Sequence, residues 1–173
     1  MSMFCYQCEQ TAKGSGCTMS GVCGKDPETA ALQDLLVTLA KGLSMYAHRG
    51  RALGVRDHAA DLAVVEALFT AVTNVNFDPV RLQGLIYKVA QCRDAARAAY
   101  EAACRAQNRT PETLAGPAAL QPSADLNELI RQGEAVTIQK RMEQLGPDVT
   151  GLQELLTYGL KVMAAYTDHA LIL

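Results

Sequence analysis

Four cysteines fall within the first 23 residues, Cys5, Cys8, Cys17 and Cys23, in the frame C-x2-C-x8-C-x5-C. Thiols at this density can be stapled by two disulfides, can close around one zinc ion, or can hold one iron-sulfur cluster. Disulfides need an oxidising compartment, and a cysteine loop that opens at residue 5 leaves no room for the apolar stretch of an export signal. Four thiolates make a closed tetrahedral zinc site, although such sites usually draw on two short-spaced pairs and only Cys5 and Cys8 form one. A cluster is broader than an ion, so its ligands need uneven spans, which x8 and x5 provide. Gly14, Gly16, Gly21 and Gly24 would let the backbone pass close to sulfur, and Lys13 and Lys25, expected at the rim, would offset the negative charge. The spacing matches neither the bacterial nor the plant ferredoxin frame, so at this point zinc and iron-sulfur both stay open.

The other candidates read as structural. Cys92 and Cys104 stand 12 residues apart in an amphipathic helical stretch and are expected as core thiols. His48 and His58 flank a turn and His169 lies near the other end of the chain, too scattered for a ligand set.

The elements that must position the loop are helical throughout, and the fold class expected is all-α. Asp26-Pro27-Glu28 is a helix start, with Asp26 as N-cap and Pro27 in the first turn, and Leu32, Leu35, Leu36, Leu39, Leu43 and Tyr46 follow at helical spacing. A second helix is expected from Asp57, presenting Val64, Val65, Leu68, Phe69 and Val72, and Asp78-Pro79 opens a long third one. Pro111, Gly116, Pro117 and Pro122 mark a connector, after which a short helix from Asp125, a weaker stretch to Gly146-Pro147 and a final helix from about Val149 to Leu171 are expected. The expected division is a metal-binding loop at 1–25, a three-helix bundle at 26–108, a linker at 109–123 and the start of a second bundle at 124–173. Within this frame Leu32-Gln33-Asp34-Leu35-Leu36 is echoed by Leu152-Gln153-Glu154-Leu155-Leu156 at an offset of 120 residues, and Lys41 with Lys161 and Tyr46 with Tyr166 keep the register. If the final helix opens a second bundle, its apolar face at Leu155, Leu156, Leu160 and Met163 needs a partner.

With 173 residues, 49% of them apolar, the chain can bury a sizeable core, and a net charge of -2 gives no footprint for nucleic acid. No apolar run approaches the ~20 residues that span a bilayer, so neither a membrane nor a nucleic-acid partner is expected, and the location expected is cytoplasmic.

The segments Phe4-Cys5-Tyr6-Gln7-Cys8-Glu9-Gln10-Thr11, Gly16-Cys17-Thr18, Gly21-Val22-Cys23-Gly24-Lys25, Thr73-Asn74-Val75-Asn76-Phe77-Asp78 and Leu155-Leu156-Thr157-Tyr158-Gly159-Leu160-Lys161 resemble the N-terminal region of the hybrid-cluster, or prismane, family of hydroxylamine reductases. The resemblance implies one [4Fe-4S] cluster on Cys5, Cys8, Cys17 and Cys23, the x2-x8-x5 frame being similar to the four-iron group of that family. It also implies that the hybrid iron-sulfur-oxygen cluster, where hydroxylamine is reduced to ammonia and water and where nitric oxide is a second candidate substrate under nitrosative stress, lies in later domains absent from these 173 residues. The full-length protein would be an oxidoreductase, and this chain alone, with no catalytic residue of its own, an inactive electron relay. Its expected partners are the remaining domains and a redox donor protein. Tyr166-x-Asp168-His169 is similar to a segment near the domain junction, which would turn His169 toward those domains. The competing reading is a zinc-stabilised helical interaction module without redox activity.

Overall fold

The structure, a computed structural model, describes residues 3–173. Beyond the loop it is built from α1 (Pro27–Ala52), α2 (His58–Thr70), α3 (Pro79–Ala106), α4 (Leu126–Glu134), α5 (Ile138–Leu145) and α6 (Pro147–Ile172), with short 3-10 turns at Ala12–Gly14 and Gly116–Ala118. Among the described residues there is no β-strand, and the all-α class holds.

The helices begin where short polar side chains can satisfy free N–H groups. The Asp26 carboxylate accepts from the Thr29 N–H at 2.7 Å, Asp57 from Ala60 at 3.0 Å, Asp78 from Val80 at 2.9 Å and Asp125 from Glu128 at 2.9 Å. Each such cap is worth about 1 kcal/mol. Pro27 and Pro79 sit in the first turn, where their missing N–H costs nothing.

α1 is the central helix of the core. Its Leu32, Leu35, Leu36, Leu39 and Leu43 are enclosed in one cluster with Leu82, Ile86 and Val89 of α3 and Leu129 and Ile130 of α4. Residues 109–123 are irregular apart from the 3-10 turn, yet they lie against this core: Ala118 is buried, the Arg93 guanidinium donates to the Leu120 carbonyl, and Gly42 abuts the Pro117 carbonyl so closely that a Cβ would collide with it. Gly133 of α4 meets the Ala31 carbonyl in the same way. The compositional break at 109–123 is thus not a break in the core.

α2 differs from expectation in the face it buries. Ala60, Ala63, Ala67 and Thr70 point inward, while Val64, Val65, Leu68, Phe69 and Val72 are half-buried. Small residues allow close approach to α1 and α3, so packing distance rather than apolar bulk chose the face. α6 packs on α2 and α5 through Thr150, Glu154, Thr157, Lys161 and Ala164, and leaves Leu152, Leu155, Leu156 and Met163 exposed.

Candidate metal centre

The loop is folded back on itself by an isolated antiparallel bridge. Cys5 N–H donates to the Cys17 carbonyl at 3.1 Å and Cys17 N–H to the Cys5 carbonyl at 2.8 Å. Directly opposed residues of an antiparallel pair send their side chains to the same face, so this exchange sets the first and third cysteines side by side. The Thr11 hydroxyl donates to the Cys5 carbonyl at 3.0 Å, and the Thr11 N–H to the Cys8 carbonyl at 3.2 Å, closing the Cys5–Cys8 turn. Around Cys23 the chain turns tightly, with Gly21 N–H bonded to the Lys25 carbonyl at 2.7 Å. A Cβ on Gly21 would stand 3.0 Å from the Cys23 sulfur, so glycine there is a condition of that approach.

The structure brings Cys5, Cys8 and Cys23 to the wall of one cavity of about 390 Å³, shared with Gln7, Lys25 and Asn74. Cys17 is buried behind Cys5, where its sulfur accepts from the Ala12 N–H at 3.5 Å and lies 3.8 Å from the Thr11 hydroxyl. Backbone N–H groups of Ala12 and Val22, helped by the Thr11 hydroxyl and the Lys25 charge, hold the Cys17 thiol below its ordinary range in spite of burial. Among the described residues no group of three or more Cys, His, Asp or Glu converges tightly enough to hold a single ion. Cys5, Cys8 and Cys23 edge a space that Cys17 does not line, and a donor set of four thiols is one that an iron-sulfur cluster can use.

Lys25 is placed differently from the sequence reading. It is buried rather than at the rim, donates to the Gln33 side-chain oxygen at 2.5 Å, and lies 5.7 Å from the centre of the Phe77 ring. Gln33 in turn donates to the Asn76 carbonyl at 2.8 Å, so the Asn76–Phe77 segment before α3 braces the end of the loop. Lys13 is exposed as expected.

Sequence reasoning missed the contact of the loop with α6, which forms a floor under the Cys5–Cys8 turn. Tyr6 packs edge-on against Tyr158 of α6 at 5.5 Å between ring centres, and the Tyr158 hydroxyl is buried without a hydrogen-bond partner among the described residues. Burial, the neighbouring Tyr6 and the Glu154 carboxylate push Tyr158 far above its usual range, so it stays a neutral donor. Beside it the Lys161 ammonium donates to the Ala71 carbonyl at 3.1 Å and to Gln7 Oε1 at 3.2 Å. The register of Lys161 with Lys41 in the echo, and the place of Tyr158 and Lys161 in the segment that carries the resemblance, were the signals available beforehand.

Behind this floor lies a group of buried charges. Glu154 pairs with Arg141 of α5 at 2.6 Å. Burial, against the attraction of Lys161 and Arg141, raises the Asp34 carboxyl to about 7, while burial and the Arg141 charge lower Lys41. Cys92 and Cys104, His48, His58 and His169 stand on separate helices or separate turns away from the loop. Cys104 is buried in the core and Cys92 packs half-buried against it, as expected of structural thiols.

No helix is long and apolar enough to cross a membrane among the described residues. The Prismane/CO dehydrogenase family matches residues 3–173. The chain is 54% identical over 171 residues to the hydroxylamine reductase of Rhodospirillum rubrum, covering 99% of this chain and 31% of that protein. It is 50% identical to that of Geobacter sulfurreducens, covering 100% and 32%, and 48% identical to that of Acidithiobacillus ferrooxidans, covering 99% and 31%. It therefore spans about a third of the length of these curated relatives. From a cysteine loop on an all-helical frame and a match over nearly every residue, the chain belongs to the Prismane/CO dehydrogenase family.

Proposed function

We propose that these 173 residues are the N-terminal electron-relay portion of a cytoplasmic hydroxylamine reductase, carrying one [4Fe-4S] cluster on Cys5, Cys8, Cys17 and Cys23. The observation that carries this reading is the cavity edged by Cys5, Cys8 and Cys23, with the buried Cys17 sulfur beside Cys5 accepting from the Ala12 N–H. A cluster held by four thiolates supplies one-electron transfer and leaves no open position for a substrate. Hydroxylamine reduction to ammonia and water consumes two electrons and two protons, so such a relay would deliver twice per turnover.

In this reading substrate chemistry, on hydroxylamine and on nitric oxide under nitrosative stress, belongs to a hybrid iron-sulfur-oxygen cluster held by the polypeptide that the relatives have and this chain lacks. The exposed apolar face of α6, and an adjoining groove of about 520 Å³ lined by Val37, Met45, Val64, Leu68 and Leu160, support the docking of that polypeptide here as a second helical bundle. The Cys23 side of the loop is exposed, which suits approach of a redox donor protein. His169, exposed on the last turns of α6, would face the docked domains.

The test is iron, acid-labile sulfide and zinc content of chain prepared without oxygen, with an EPR spectrum after dithionite reduction. About four irons and four sulfides per chain, with a signal on reduction, are expected. One zinc and no sulfide would replace the relay with a zinc-stabilised helical module.

A further inference from the structure

The ammonium of Lys161 is buried, and no carboxylate accounts for it. Among the described residues it makes no ion pair. Glu154, two turns earlier on α6, is engaged by Arg141, and Asp34 of α1 faces Lys161 without reaching contact. Its two hydrogen bonds go to neutral oxygens, the Ala71 carbonyl and Gln7 Oε1, and its remaining neighbour is the Tyr158 ring at 5.8 Å. Burial lowers its pKa to about 8, which leaves it charged at neutral pH. Asp34 and Glu154 attract the ammonium without touching it, and a buried charge with no contacting counter-charge is costly, so a further negative group nearby would stabilise it.

The places of the two acceptors say what that group is. Gln7 stands inside the Cys5–Cys8 turn, and Ala71 caps the C-terminal end of α2. The ammonium thus joins the cysteine turn, α2 and α6 at one point beneath the Cys5–Cys8 turn. Lys13 is exposed to solvent, and Lys25, buried in the wall of the cysteine cavity, donates to Gln33; Lys161 is the lysine of this region that is tethered to the Cys5–Cys8 turn.

We propose that Lys161 is a positioning residue for the cysteine site, tying the Cys5–Cys8 turn to the end of α2 and supplying the positive charge that raises the reduction potential of the group held there. This rests on the iron-sulfur reading above. Four thiolates give the site a net negative charge that grows by one when a one-electron donor reduces it. A fixed ammonium in surroundings of low dielectric attracts the reduced form more strongly than the oxidised form, which raises the potential.

The experiment compares the 173-residue chain with K161M, K161R and K161Q, all prepared without oxygen, by iron and sulfide analysis and by potentiometric titration with dithionite followed by EPR. With iron and sulfide unchanged, K161M is expected to shift the reduction equilibrium at least tenfold toward the oxidised form, about 59 mV for one electron. K161R should keep most of the original potential. A fully loaded K161M with the potential of the unaltered chain overturns the proposal. If K161M loses iron, restoration by K161R and not by K161Q supports a need for charge, and equal restoration by both overturns it. Zinc without sulfide in the unaltered chain brings down the iron-sulfur reading itself and this inference with it, and is seen before any substitution is compared.

Discussion

Leu32, Leu35, Leu36 and Leu43 of α1 are fully enclosed, whereas their counterparts 120 residues later in α6, Leu152, Leu155, Leu156 and Met163, are 65–69% exposed. Tyr46 and Tyr166 divide in the same way, at 3% and 75%. α6 buries Glu154, Thr157 and Lys161 instead, which answer in register to Asp34, Val37 and Lys41 of α1. The charges of the two helices bear on one another reciprocally, Lys161 on Asp34 and Glu154 on Lys41. Two helices of one pattern thus look toward each other with their polar faces, while one apolar face is covered by α3 and α4 and the other is not. Pattern makes both segments helical, and the neighbours decide which face is inside.

The sharpest way to break this comparison is to cut the same side chain on both helices. Leu35→Ala should cost about 4 kcal/mol in urea unfolding, because it opens a cavity among α1, α3 and α4. Next in size, Glu154→Leu should cost about 3 kcal/mol by stranding Arg141 in a partly buried place, and adding Arg141→Met should recover most of it. A double variant as unstable as the single one would mean that the polar face of α6 is held by something other than this pair.

A pH series sharpens the polar side of the comparison. The Asp34 carboxyl is raised to about 7 from an unfolded value of 3.8, so between these values the folded chain holds a proton that the unfolded chain has released. Its contribution to stability is complete below the unfolded value and is lost as pH rises toward 7. The melting temperature of the unaltered chain should therefore fall relative to that of Asp34→Asn over this window, and parallel curves would show that Asp34 is solvated. The smallest effect is expected on the outer face of α6. Leu155→Ala should change unfolding by no more than about 0.5 kcal/mol, as at an exposed site, and Leu156→Lys should lower self-association in sedimentation at equal stability.

Helix starts were legible because capping is local: each Asp sits within three residues of the N–H it satisfies, so Asp26, Asp57, Asp78 and Asp125 carry their own instruction. The four cysteines were visible in the sequence, but the bridge between Cys5 and Cys17 was not, since it depends on a turn braced by Thr11 rather than on spacing. Burial was the least legible property. The inward alanines of α2, the enclosed Lys25 and the Lys161–Tyr158 floor all arise where elements distant in sequence meet, and composition alone assigns lysine to the surface and valine to the core.

The outward stripe of α6 also bears on how such a chain is made. Residues spaced for a bundle and left in water are complementary to themselves, so two copies can close over each other about a two-fold axis as readily as one copy can accept its proper cover. The first of these encounters speeds up with concentration and the second does not. In the proposed docking, the covering segment would have to arrive sooner than a second copy, and crowding of freshly made chains would then lower the yield of folded protein.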